Sequence, residues 1–203
     1  MNNYHIYEEV GRGKYSVVYK GRKKKSIEYV AVKSVERGRR KKLMDEVGIF
    51  QLIEYDHLGQ SAASGGSGSG STATAGPGAS TSSGSSSPAN WHPNILKFYN
   101  WYETRNHFWI ILEYCSGGDL YTLLEQEKKL PEDAVKKFAY ELLEGLSYLH
   151  SQGIIFADLK PSNVLMNEYC KLKLCDFGLA KKVTELSNIG IKNSAEERTQ
   201  SHS

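Results

Sequence analysis

The stretch Ser61–Ala89 is built only from Ser, Gly, Ala, Thr and Pro. With no large apolar side chain to offset the entropy of ordering, it cannot join a core, and its composition predicts a flexible coil. Periodic segments lie on both sides of it. The stretch is therefore expected to be a disordered insertion, over 58–90, inside one folded unit whose flanks must meet across it. An inert spacer accounts for this composition more simply than a phospho-acceptor segment does.

The whole chain has 203 residues, 39% hydrophobic and 24% charged, enough for one large domain or two small lobes. A net charge of only +3 gives no reason to expect nucleic acid as a partner. The local basic runs Arg22-Lys23-Lys24-Lys25 and Arg37-Gly38-Arg39-Arg40-Lys41-Lys42 read as solvated surface. No apolar run approaches the ~18 residues of a membrane span and the N-terminus is polar, so neither insertion nor secretion is expected. Cys115, Cys170 and Cys175 lack metal-ligand spacing and predict a reducing, cytoplasmic setting.

Before the insertion, Val17-Val18-Tyr19 and Tyr29-Val30-Ala31-Val32 are β-branched and aromatic runs joined by a basic turn, which predicts an antiparallel hairpin. Arg40–Tyr55 has helical spacing, with Leu43, Val47, Phe50 and Ile53 on one face and Glu46 beside it. After the insertion, Ile95–Trp101 and Phe108–Tyr114 predict a second strand pair. Pro131 opens a long amphipathic helix that Gly153 closes, and the segment from 184 is polar and expected to be unstructured.

Gly11-Arg-Gly13-Lys-Tyr-Ser16-Val-Val18 is a glycine-rich turn followed at once by strand residues. A dinucleotide-binding loop would open a helix instead, so a hairpin lying over phosphates fits better. Lys33 on the next strand and Glu46 on the following helix are placed to form a pair that directs the ammonium at phosphate oxygens. Farther on, Asp158-Leu-Lys160-Pro-Ser-Asn163 precedes Asp176-Phe177-Gly178. Magnesium takes hard oxygen ligands, which Asn163 and Asp176 offer. Asp158 is free to orient a hydroxyl and accept its proton, and Lys160 to neutralise a transferring phosphoryl group.

With these motifs, and with HPNIL and LEYCSGGDL, the chain resembles the eukaryotic protein kinase family of serine/threonine type, most like the Runkel-type branch of the uncoordinated-like kinases. The resemblance implies an α+β, bilobal protein-kinase fold: a β-rich N-lobe from 1–57 and 91–114, part of a helical C-lobe over 115–183, and a disordered tail over 184–203. It implies ATP and Mg²⁺, with phosphoryl transfer to Ser or Thr of protein substrates. Val10, Gly11, Arg12, Gly13 and Ser16 would form the phosphate loop. Leu112 would be the gatekeeper, Glu113 and Cys115 would present backbone to adenine, and Asp119 would meet the ribose. Val18, Ala31 and Leu165 would enclose the purine. Relatives of this branch act in microtubule organisation, which implies a scaffold or microtubule-associated partner and a cytoskeletal location in the cytoplasm.

Two departures qualify the resemblance. Phe156-Ala157 stands where His-Arg is usual; Phe156 would stack with Phe177, Phe50 and Phe98, while Ala157 cannot pair with a loop phosphate. No A-P-E signature follows Asp176-Phe177-Gly178, so the domain reads as incomplete, with an exposed apolar side on the long helix. A nucleotide-binding pseudokinase scaffold and a partner-capturing fragment stay open beside the kinase.

Overall fold

Side chains alternate along Tyr29–Glu36, so Val30 and Val32 share one face while Ala31, Lys33 and Val35 share the other. The computed structural model, which describes residues 2–62 and 91–184, puts this strand in the middle of an antiparallel sheet. Its strands are β1 (Tyr4–Arg12), β2 (Ser16–Lys23), β3 (Tyr29–Glu36), β4 (Phe98–Glu103) and β5 (His107–Glu113), in the order β1-β2-β3-β5-β4. On the outer face Val30 and Val32 pack with Ile111 under a cover of aromatic rings that includes Tyr19 and Trp109. On the inner face Val35, Phe108, Ile110 and Leu112 enter the main core. The pleat therefore carries Lys33 to the inner face.

Helix α1 (Arg40–Ala62) covers that inner face, burying Leu43, Val47, Phe50 and Ile53. Each such side chain contributes up to about 1.5–3 kcal/mol by leaving water. Glu46 goes under with them. The helix continues to Ala62, beyond the Tyr55 end that periodicity suggested. The rest of the expected insertion, from 63, and the expected tail, from 185, lie outside the described residues. Strand β1 was not anticipated. It is an edge strand, exposed along most of its length and irregular between Ile6 and Gly11, so it lacks the alternation that marks a half-buried strand.

The second half is helical, with two short ribbons. Helix α2 (Leu120–Glu127) is followed by α3 (Glu132–Ser151), whose first turn carries Glu132 and Asp133 against the positive end of the helix dipole. Strands β6 (Ile154–Ile155) and β9 (Lys181–Lys182) pair with each other, as do β7 (Val164–Met166) and β8 (Leu172–Leu174). Glu141, buried on α3, accepts the Leu172 N–H at 2.7 Å and ties the helix to β8.

Residues 95–97 depart from the expected strand Ile95–Trp101, since β4 begins only at Phe98. The preceding residues bond to β8 instead: Leu174 N–H donates to Asn94 C=O at 2.8 Å, Leu96 N–H donates to Leu174 C=O at 2.9 Å, and the Asn94 amide donates to Leu172 C=O at 3.0 Å. This zipper fixes the sheet onto the helical half.

Candidate active site

The β1–β2 turn, the inner face of β3, α1, the chain after β5 and the two loops around β7 and β8 enclose a cavity of about 540 Å³. A smaller cavity of about 310 Å³ adjoins it at the tip of the glycine turn, and the two share Ser16, Lys33, Glu46 and Asp176. Val10, Gly11, Arg12, Val18, Ala31, Leu112, Glu113, Cys115, Asp119, Asn163 and Leu165 line the larger one, and Gly13 and Asp158 the smaller. Of the residues singled out from sequence, Lys160 alone lines neither, and it bonds to Asp158.

Lys33 Nζ donates to Glu46 Oε1 at 2.8 Å and Oε2 at 3.0 Å, and lies 3.4 Å from Asp176 Oδ1. Burial alone would lower the ammonium's pKa, but the two carboxylates outweigh it and hold Lys33 above the ordinary lysine range. Lys33 is thus a fixed cation in a slot between sheet, helix and the Asp176 loop.

On the other wall, Asp158 Oδ2 accepts from Lys160 Nζ at 2.8 Å and from Asn163 Nδ2 at 2.8 Å. The Lys160 hydrogen bond, with help from Asn163, keeps the Asp158 carboxyl below its usual range. Asn163 also donates to the Asp158 C=O at 3.0 Å, and its own C=O accepts the Cys175 N–H at 3.0 Å. One amide side chain thus locks the 158–163 loop, and one backbone bond ties it to the residue preceding Asp176. Ala157 and Asp176 both have left-handed backbone, φ 64° and 61°, so local strain is held on either side of the site.

The site fits a nucleotide and a divalent cation. Gly11 and Gly13 have no left-handed φ, and a Cβ on Gly11 would meet nothing nearer than Val18 Cβ at 3.8 Å. The fold does not require a glycine at 11, but a side chain there would intrude on the cavity. Val18, Ala31, Leu112 and Leu165 give the apolar slot, and the Cys115 N–H donates to no acceptor among the described residues, leaving a donor at its edge. Asn163 Oδ1 and Asp176 Oδ2 accept no hydrogen bond among the described residues, which leaves two hard oxygens for Mg²⁺.

Three features modify the expected roles. The Arg12 guanidinium turns to Glu9, at 2.8 Å from Nε to Oε1, rather than inward. Asp119 is the N-cap of α2, its carboxylate accepting from Thr122 N–H at 2.8 Å and Thr122 Oγ1 at 3.0 Å, so a ribose hydroxyl there would share an engaged carboxylate. Burial and Glu113 push the Cys115 thiol up to about 12, and burial with Asp176 raises the Cys175 thiol as well.

The stack expected for Phe156 is present. Phe156 meets Phe177 edge-on at 5.3 Å, Phe177 meets Phe50 at 5.0 Å, and Phe50 stacks on Phe98 at 5.2 Å. Lys173 was missed. Alternation with Leu172 and Leu174 assigns it to solvent, yet it is buried, with Nζ 2.9 Å from Oε1 of Glu113, the last residue of β5. Leu96, which also lines the cavity, was not singled out from the sequence.

Residues 85–200, more than half of the chain, match the model of the protein kinase domain. The chain belongs to the protein kinase family. It is 47% identical over 187 residues to serine/threonine-protein kinase RUNKEL of Arabidopsis thaliana and 35% identical over 185 residues to serine/threonine-protein kinase ULK4 of Mus musculus. It is 31% identical over 185 residues to cell division control protein 7 of Schizosaccharomyces pombe. These matches take in 92%, 91% and 91% of this chain but only 11%, 11% and 14% of the relatives' lengths.

Proposed function

We propose that the chain binds ATP with Mg²⁺ and carries the groups that transfer the γ-phosphoryl to a serine or threonine hydroxyl of a protein. The observation that carries this reading is the closed Lys33–Glu46 pair at 2.8 Å facing Asp176 across one cavity whose other wall presents Asp158. Lys33 would hold phosphate oxygens by charge. Asn163 and Asp176 would hold the metal, which neutralises charge on the phosphates when bound. Asp158, kept ionised by Lys160 and Asn163, would accept a hydrogen bond from the acceptor hydroxyl and then its proton, while Lys160, held beside Asp158, would supply positive charge to the transferring group.

The test is thermal shift with ATP and Mg²⁺ alongside phosphate transfer to protein substrates. Lys33→Met should lose the nucleotide-induced shift. That change leaves Glu46 buried without its cation, so Lys33→Met/Glu46→Gln is measured beside it to separate lost binding from lost folding. Asp158→Asn should keep the shift and lose transfer by about 10²-fold or more. Transfer at background in both wild type and Asp158→Asn, with the shift intact, would instead make the chain a nucleotide-binding pseudokinase.

A second reading has its own observation. On α3, Tyr140 and Leu143 are 64% and 65% exposed and Val135 is 50% exposed, an apolar surface able to hold a protein partner. It is compatible with the kinase reading.

A further inference from the structure

The basic run that begins at Arg37 divides into two parts. Arg37 serves the fold, donating to Arg105 C=O at 2.9 Å and pairing with Glu103 at 3.1 Å. Arg39 and Lys42 instead line the smaller cavity, with Lys14 from the glycine turn beside them and Asp158 also on its lining. The Arg39 guanidinium lies over the Tyr15 ring, 3.6 Å from its centroid, which joins the residue before α1 to the tip of the turn.

None of Lys14, Arg39 and Lys42 pairs with a carboxylate among the described residues. The carboxylates that line the same cavity are engaged: Glu46 and Asp176 face Lys33, and Asp158 faces Lys160. Lys33 balances only one of the two carboxylates it faces, so Lys14, Arg39 and Lys42 stand against one residual carboxylate charge and the balance of the cavity is positive. The first turn of α1 contains no acidic residue to offset these cations, and apart from the contacts of Arg39 and Lys14 with the Tyr15 ring nothing in the fold balances their like charges. An anionic ligand would balance them.

The identity of the anion follows from its neighbour. Lys33 and Asp176, shared with the larger cavity, are taken by the nucleotide phosphates and their metal; Asp158, Lys14, Arg39 and Lys42 line the smaller cavity alone, and the acceptor hydroxyl has to reach Asp158, so an anion on that side comes with the chain that carries the hydroxyl. A cavity of this volume is on the order of 8 Å across, and extended chain covers about 3.3 Å per residue, which puts the anion roughly two to four residues from the acceptor. We propose that Arg39, Lys42 and Lys14 bind an acidic side chain, carboxylate or phosphate, of the protein substrate close to the serine or threonine that is phosphorylated. This rests on reading the chain as a kinase, and it names the substrate class: acidic segments.

The test uses the 203-residue chain with a non-hydrolysable ATP analogue and Mg²⁺, and fluorescein-labelled peptides followed by anisotropy. The peptides share one sequence with a single acceptor serine and differ three residues beyond it, where they carry Gln, Glu or phosphoserine. The Glu and phosphoserine peptides are expected to bind at least about fivefold tighter than the Gln peptide, and their ranking separates carboxylate from phosphate as the preferred anion. Arg39→Gln/Lys42→Gln should bring all three within about twofold. Arg40→Gln/Lys41→Gln, which removes the same charge outside the cavity, should keep the preference. Equal binding of the three peptides to the wild type would overturn the proposal, as would equal loss in both double variants. So would displacement of the Glu peptide by a single-stranded oligonucleotide of matched charge at equal affinity, which would mark a general polyanion surface. Thermal stabilisation by ATP and Mg²⁺ is measured on the same samples. If it is present while peptide discrimination is missing, only the acidic-segment assignment falls; if it is missing in the wild type, the kinase reading falls and this assignment with it.

Discussion

Lys173 on β8 reaches Glu113, the last residue of β5, at 2.9 Å, and Glu113 holds the Lys97 N–H with its other oxygen at 3.1 Å. One carboxylate thereby joins the ribbon leading to Asp176, the strand that forms the cavity's edge, and the entry to β4. Lys173→Met should leave that carboxylate without its cation. The cost is expected at about 2–3 kcal/mol, below the roughly 3–5 of a fully buried pair because 19% of the Glu113 side chain still meets water. Urea unfolding of the variant checks the stability. Nucleotide affinity should fall as well, whereas an unchanged unfolding midpoint would mean that the pair contributes nothing net.

Phe156→Ala should destabilise the protein by about 3–5 kcal/mol, because the ring is almost fully buried and its edge contact with Phe177 is lost. Phe156→His, which restores the residue usual in such loops, keeps a planar ring against Phe177 and should cost less than Phe156→Ala. Circular dichroism melts of the two variants order them.

Thiol alkylation should follow exposure and charge together. Cys170 is exposed and reacts first; Cys115 and Cys175 are held as neutral thiols by burial beside Glu113 and Asp176. Peptide mass spectrometry after brief iodoacetamide treatment at pH 8 reads the order. Rapid labelling of Cys175 would place its sulfur nearer to solvent than the structure does.

The pH dependence has a definite sign. Asp158 is depressed, so its contribution is present above the unfolded carboxyl value of about 3.9 and is lost as pH falls through its lower folded value. Lys33 is raised, so its contribution is present below the unfolded lysine value of about 10.4 and is lost as pH rises through its higher folded value. The stability difference between wild type and Asp158→Asn should therefore be flat from about pH 5.5 to 9 and shrink only below about pH 4. A slope through neutrality, measured by urea midpoints, would mean that Asp158 is not held as described.

Most of the site was legible because each part has a local cue. Glycines before a β-branched run, one inward Glu on an apolar helix stripe, and two acidic loops joined by short strands each follow from side-chain period and loop chemistry. Lys173 was not legible, since alternation tells which face of a ribbon a residue takes and not what covers that face. The same limit applies to Ile95, an apolar residue in a β-rich run that pairs with Leu174 of the other half. Arg39 and Lys42 show it in charge: composition marks them as surface, and only the tertiary approach of the glycine turn makes a cavity of them.

Helix α1 is gripped at Phe50 between the rings of Phe98 and Phe177. Glu46 lies one turn to one side, about 6 Å along the axis, and Ala62 about 18 Å to the other. In mechanical terms this is an unequal lever with an aromatic fulcrum. A sideways displacement of about 3 Å at the long end would swing Glu46 by roughly 1 Å in the opposite sense, by the ratio of the helix rises. That movement is enough to open a 2.8 Å hydrogen bond to Lys33.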